Sequence, residues 1–258
     1  MADKSRPNTR PGLPFFGKNV KHELRELVAL GHINSWYYVG VRCHNPNVGS
    51  SIEDIWGVGG VQVTPATAGV ASVVSDDAAD TAAGTGARTA CVGGLDWSYK
   101  EVSEDVTLNG TTPVVTTQEF LRVNSLEVLT SGSGEVNAGD ITASVGGNVQ
   151  RQIDAGDGIC HCGQFCIPAG HTAYLFQIDV EQGQDSTTDV WLNYKTPASG
   201  TWLKVVHMLC WRSEVSHDFQ GAVEIPEKSD IRMQGEAVTG TNDTTGYYVL
   251  LMVENGVT

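Results

Sequence analysis

Cys160-His-Cys-Gly-Gln-Phe-Cys166, followed by His171, is the densest group of metal-binding side-chain types in the chain. On a strand Cys160 and Cys162 point the same way, and after a turn at Gly163 Cys166 and His171 are placed to complete a tetrahedral Zn site. The spacing C-x-C-x3-C-x4-H matches none of the common zinc modules, and cysteine is among the residue types most often buried, so packed local thiols are the competing expectation. Cys160 or Cys210, with His161, His171, His207 or His217, also supplies the ingredients of a thiol nucleophile. No nucleophile elbow, His-Glu-x-x-His or kinase set accompanies them, and no catalytic site is expected. His207, flanked by Val206 and Met208, reads as a packed core histidine. Ala83-Gly-Thr-Gly-Ala-Arg88 lacks the Gly-Lys-Ser/Thr ending of a phosphate loop and reads as a turn. The acidic groups Glu53-Asp54, Asp76-Asp77 with Asp80, and Glu181 with Asp185 and Asp189 lack the spacing of a calcium loop. Trp56, Trp97, Trp191, Trp202 and Trp211 are the rings to inspect for stacking on sugars, with Trp97 and Tyr99 the candidate glycan contact.

These side chains need a scaffold, and the composition describes one. The 258 residues contain 30 Gly, 18% charged residues and 40% hydrophobic residues, as in a β-rich globular protein with many turns. Sixteen Lys plus Arg face 30 Asp plus Glu, a net charge of −14, which disfavours nucleic acid as a ligand of the body. Residues 1–26 are the exception, with six basic and three acidic groups. Pro7, Pro11 and Pro14 favour an extended arm there, carrying Arg6, Arg10 and the pair Phe15-Phe16, suited to docking on another copy or another protein. Six scattered cysteines and no apolar leader point to free thiols in a reducing cytoplasm, and the longest apolar run, Tyr247 to Val253, is too short to cross a bilayer.

Along the chain, Val20, Leu24, Leu27 and Val28 recur at helical spacing between a capping Asn19 and a stopping Gly31, which predicts one short helix. From Trp36 onward the texture is β. Strands are expected at Val70 to Val74, Arg88 to Val92, Glu101 to Leu108, Pro113 to Thr117, Phe120 to Leu129 and Ile141 to Val145, with Asn109-Gly110 as a hairpin turn. In Thr172 to Val180 the residues Tyr174, Phe176, Ile178 and Val180 share one parity and are expected inward. Trp202 to Trp211 and Tyr247 to Val253 are apolar on both faces, as in central strands covered by a second layer or another subunit. The expected fold is all-β, a β-sandwich of jelly-roll or immunoglobulin-like kind. Its expected divisions are an arm and helix over 1–35, a β module over 36–150 and a second over 151–258.

Five motifs in fixed order carry a resemblance: Asp80-Thr-Ala-Ala-Gly-Thr-Gly-Ala-Arg88, Gly94-Leu-Asp96, Glu104-Asp-Val-Thr-Leu-Asn-Gly-Thr-Thr112, Phe120-Leu-Arg-Val-Asn124 and Ile167-Pro-Ala-Gly-His-Thr-Ala-Tyr174. With Glu53-Asp-Ile-Trp56 and Val223-Glu-Ile-Pro-Glu-Lys228, they resemble a family of bacteriophage virion structural proteins frequent in marine phages. The resemblance implies a non-enzymatic component of the capsid, neck or tail, assembled in the host bacterial cytoplasm through contacts with other copies and other virion proteins. It carries over no catalytic site, and the cysteine cluster lies outside the pattern; no cofactor other than a structural zinc at that cluster and no membrane contact are expected. A host-receptor or glycan-binding module on the virion surface is the alternative.

Overall fold

The computed structural model describes residues 20–183, 187–211 and 214–256. Phe15, Phe16, Arg6 and Arg10 of the expected arm lie outside them. Helix α1 (Val20–Ala29) ends as its sequence requires. Gly31 takes φ +70°, its N–H donates to Val28 O at 3.0 Å and that of His32 to Leu27 O at 2.8 Å. This pair of bonds satisfies the terminal carbonyls in the manner of a Schellman cap.

The remainder is all-β, in two sandwiches. The first takes eight strands: β1 (Trp36–Val48), β10 (Gln164–Cys166), β11 (His171–Gln182), β12 (Thr187–Lys195), β13 (Leu203–Trp211), β14 (Val215–Ile225), β15 (Asp230–Ala237) and β16 (Asn242–Glu254). They pair antiparallel as a nested series, first with last (β1 with β16), β10 with β15, β11 with β14 and β12 with β13. Such a ribbon, rolled so that β11 meets β16 and β12 meets β15, is a jelly roll. Its sheets, ordered β1-β16-β11-β14 and β10-β15-β12-β13, enclose one core that includes Val41, Leu175, Ile178, Leu192, Met233, Tyr248 and Leu250. The short β2 (Glu53–Asp54) pairs with β15.

The second sandwich is inserted between β2 and β10. It comprises β3 (Gly69–Ser75), β4 (Ala87–Leu95), β5 (Glu101–Thr107), β6 (Val114–Phe120), β7 (Arg122–Ser131), β8 (Ile141–Val145) and β9 (Asn148–Ile153). The sheets β6-β3-β8-β9 and β5-β4-β7 share a separate core of Val73, Val92, Phe120, Leu126, Ile141 and Ile153. The expected division of 36–150 from 151–258 therefore differs from the spatial one. β1 leaves the first module because its thirteen residues pair along nearly their whole length with β16, and such non-local pairing leaves no local sign.

Three further expectations change. Asn109-Gly110 does form a turn, with Gly110 at φ +58°, but it passes the chain between sheets, since β5 pairs with β4 and β6 with β3. In β11 a bulge between Leu175 and Gln177 shifts the register, so Ala173 and Leu175 face the core before it and Ile178 and Val180 after it. Phe176 meets Tyr38 edge-on at 5.7 Å instead. β16 is central as expected, whereas β13 is an edge strand with Leu203, Leu209 and Trp211 exposed.

Candidate functional site

The predicted cysteine cluster lies where the inserted sandwich returns to the jelly roll. Trp56 and Cys162 form an isolated antiparallel bridge, and the Gly163 N–H donates to Ile55 O at 3.1 Å, so the entering and leaving chains run side by side as a neck. The Leu126 N–H donates to Cys160 Sγ at 3.3 Å. Cys166 sits in β10, where Asn124 brackets its backbone with bonds of 2.9 and 3.0 Å. His171 opens β11 in the other sheet, its ring edge-on to Tyr37 at 5.7 Å. Burial pushes the Cys160 thiol up to about 11, partly opposed by Arg151; it also raises Cys162, and raises Cys166 well above an ordinary thiol. Among the described residues no three His, Cys, Asp or Glu side chains are grouped to hold a metal ion. The sequence spacing of Cys160, Cys162, Cys166 and His171 is thus spread over a neck and two sheets.

What the structure does converge at this place is a clamp between the two sandwiches. Arg122, the third residue of Phe120-Leu-Arg-Val-Asn124, donates from Nε to Asp230 Oδ1 at 2.7 Å and from Nη2 to Oδ2 at 3.0 Å. Its Nη1 donates to Pro65 O and Leu121 O at 2.9 and 2.8 Å. Alternation along β7 puts Asn124 on the same face as Arg122, which is why one strand supplies both contacts to β10 and β15. Beneath them the fully buried Asp54 accepts from Gln62 N at 2.7 Å, Gln164 Nε2 at 2.5 Å and Gln234 Nε2 at 3.0 Å. Burial raises its carboxyl; these bonds and the Arg232 charge oppose the rise.

The motif residues around Asp80 and Glu104 are spent inside the second sandwich. Buried Asp80 accepts from Ser75 Oγ, Ala87 N, Ala138 N and Gly139 N at 2.6 to 3.0 Å. Burial alone would raise its carboxyl, but these four donors outweigh it and hold it below the ordinary value. Gly84 in the same loop has no room for a side chain, since a Cβ would stand 1.9 Å from Ala79 O. The run 83–88 is a structural turn around Asp80, as its sequence suggests, and not a phosphate cradle. Glu104 on β5 accepts from Thr117 N and Gln118 N on β6, joining the two sheets.

Trp97 and Tyr99 occupy the β4–β5 turn, organised by Asp96 Oδ1 accepting from Ser98 N and Lys100 N. Trp97 is 75% exposed. Tyr99 turns back, at φ +61°, and its carbonyl accepts from Ala169 N at 2.8 Å, so only the tryptophan offers an open ring. Between the sandwiches lies a cleft of about 820 Å³ whose walls include Val39, Arg42, Val102, Asn124, His161 and Tyr247. His161 there stands 3.3 Å from Asp157, and His44, outside this cleft, stands 2.8 Å from Asp243.

Sequence reading misses the outer face of the β10-β15-β12-β13 sheet. His207 is exposed there, bonded to Asp189 at 2.8 Å and stacked on Trp191 at 5.4 Å. Lys204 lies 4.4 Å from the Trp191 ring, and Arg232 lies 3.8 Å and Lys195 4.9 Å from that of Trp202. The register explains the error about His207: Trp191 is its cross-strand partner, and Met208, next to it, takes the core side. Both tryptophans already stack on cations, so neither is a free platform for sugar.

No family model and no curated protein matches the sequence. Among solved structures, the infectious bursal disease virus VP2 subviral particle aligns at 10% identity and TM-score 0.23, covering 87% of this chain and 73% of that one. The structure of the Gx strain of the same virus aligns at 11% identity and TM-score 0.22, over 87% and 72% of the two chains. At such scores neither carries an argument; the jelly roll rests on the strand pairing alone.

Proposed function

We propose that this chain is a non-enzymatic structural component of a bacteriophage particle, in the capsid, neck or tail, joined to other copies of itself and to other virion proteins. Jelly rolls serve in capsids and in lectins, so the fold bounds the function without choosing it. The observation that carries the reading is how the shared motif residues are used. Asp80, Gly84, Glu104, Arg122 and Asn124 all hold turns, sheets and sandwiches in fixed relation, and none of them supports a nucleophile, a base or a metal. A second support is β13, an edge strand with Leu209 56% exposed. Apolar edge strands invite pairing with a neighbour. The reading includes assembly in the host bacterial cytoplasm, no cofactor, and an N-terminal arm that clasps a neighbour. Mass spectrometry and antibody labelling of purified particles test it: a stoichiometric, symmetry-related band of label supports it, and absence from particles refutes it.

Trp97 favours one second reading, a host-glycan contact at the free end of the inserted sandwich. A glycan array of the wild type and Trp97→Ala tests it. Selective binding lost in the variant supports a receptor role; no selective binding by the wild type rejects it.

A further inference from the structure

We infer that the outer face of the β1-β16-β11-β14 sheet is the docking surface for the basic arm, residues 1–19, of a neighbouring copy; this rests on the reading of the chain as an assembling particle component. The four strands of this sheet carry six carboxylates, Asp179, Glu181, Asp218, Glu224, Asp243 and Glu254, and one Lys or Arg, Arg42. The direction of Asp179, Glu181 and Asp243 follows from the pleat, whereas Glu254 has the parity of the core residues Leu250 and Met252. Ile178 and Val180 are in the core, so Asp179 and Glu181 point outward, as does Asp243 between the buried Asn242 and Thr244. Residues 1–19 have the complementary character, with Lys4, Arg6, Arg10 and Lys18 against Asp3.

Part of the N-terminal segment already occupies this face. Arg25 of α1 donates to Gln177 Oε1 at 2.8 Å and lies 5.8 Å from the Phe176 ring. The chain leaving α1 reaches Ser35, whose carbonyl accepts from Glu254 N at 3.0 Å, and Val253 pairs with both Trp36 and Thr172. Arg25 thus seats α1 against the outer face of this sheet, the face that carries Asp179, Glu181 and Asp243.

Reach bears on which copy the arm meets. At about 3.3 Å per residue the nineteen residues 1–19 span up to about 60 Å when extended, whereas the twelve residues of β11 span about 40 Å. The arm therefore has the length to meet the same face of a second copy. The contact is heterologous, arm to face, and propagates from copy to copy instead of closing a pair.

The test uses the full chain in two differently tagged forms, one arm-reversed (Arg6→Glu with Arg10→Glu) and one face-reversed (Glu181→Lys with Asp243→Lys). Melting curves verify that each form is folded. Each form alone is expected to self-associate at least tenfold more weakly than the wild type in sedimentation at low salt. An equimolar mixture is expected to recover mixed complexes, pulled down through either tag, because the basic arm of the face-reversed form meets the acidic face of the arm-reversed form and the acidic arm of the latter meets the lysine face of the former. Loss that is rescued only when all four substitutions share one chain places the arm on its own copy and overturns the inference. Self-association indifferent to both reversals overturns it as well, as does arm-dependent retention on DNA with no response to the face. A wild type that neither self-associates nor enters particles refutes the assembly reading itself, which keeps the two failures distinct.

Discussion

Replacing Arg122 by Ala removes a side chain that bonds both carboxylate oxygens of Asp230 and two carbonyls at once. The pair is shielded, with side-chain exposures of 13% and 10%, and Lys195 at 4.0 Å is the remaining cation near Asp230. Breaking a buried ion pair from one side costs about 3 to 5 kcal/mol, because the abandoned charge keeps its desolvation penalty. A domain stable by about 5 to 15 kcal/mol loses a large share of its margin. Urea unfolding at pH 7 measures the loss, and a double-mutant cycle with Asp230→Ala is expected to return a coupling of about 2 to 3 kcal/mol. The coupling persists at 0.5 M NaCl, since screening acts weakly on a buried pair. Arg122→Lys restores less than half, because an ammonium cannot make the fork. A loss below about 1 kcal/mol, on the scale of an exposed ion pair, or additive single effects, refutes the claim that this contact locks the two sandwiches.

Gly84→Ala is expected to cost more than about 2 kcal/mol, since its Cβ would meet the Ala79 carbonyl at 1.9 Å and backbone must move; an unchanged melting temperature refutes it. Asp80→Asn leaves at least one of the four donors facing an amide N–H, a loss of about 1 to 3 kcal/mol. Because the folded carboxyl sits below its unfolded value, the stability it contributes is complete above about pH 4 and lost as pH falls through the folded value. The melting difference between wild type and Asp80→Asn should therefore narrow below pH 4, and a gap constant from pH 7 to pH 2.5 contradicts this. Cys160, Cys162 and Cys166, buried or raised, should resist alkylation at pH 8 until the chain unfolds, and a chelator should leave the melting temperature unchanged. Rapid native-state labelling or a chelator-induced drop in melting temperature restores the zinc reading. Leu209→Lys, on the exposed face of the β13 edge, should reduce self-association with little change in monomer stability, and unaltered sedimentation removes β13 from the interface.

Features decided within a few residues were legible in the sequence. Helical spacing closed by Gly31 gave α1, and Ile141–Val145, alternating and bracketed by glycine-rich turns, is β8 to the residue. Features decided by pairing across the chain were not. One bulge after Leu175 reverses which residues of β11 face inward, and a strict two-residue period through Tyr174 and Phe176 cannot anticipate it. β13 and β16 have similar apolar texture, yet one is an edge and the other central. The cysteine spacing suggested a chelate because donors near in sequence were assumed near in space, whereas the chain there changes module between Cys160 and Cys166. Arg122 and Asn124 were legible only as part of a motif: their i, i+2 spacing gives a shared face, but nothing local names Asp230, more than a hundred residues away, as the partner.

An inserted sandwich is tolerated at this point of the ribbon because its two ends are already strand neighbours. The Trp56–Cys162 bridge and the Gly163 N–H to Ile55 O bond close the neck, and the cost of closing a longer loop grows by only about 0.6 kcal/mol per doubling of length. The insert has its own core, and the clamp at Arg122 and Asn124 and the bonded, buried Asp54 join it to the jelly roll beside the neck. Their effect is to fix the angle between the sandwiches, turning a tethered pair into one rigid shape. An enzyme that closes on a substrate gains from a hinge at such a junction, whereas a subunit that repeats its contacts from copy to copy gains from its absence, since each contact must recur at the same geometry for the assembly to propagate.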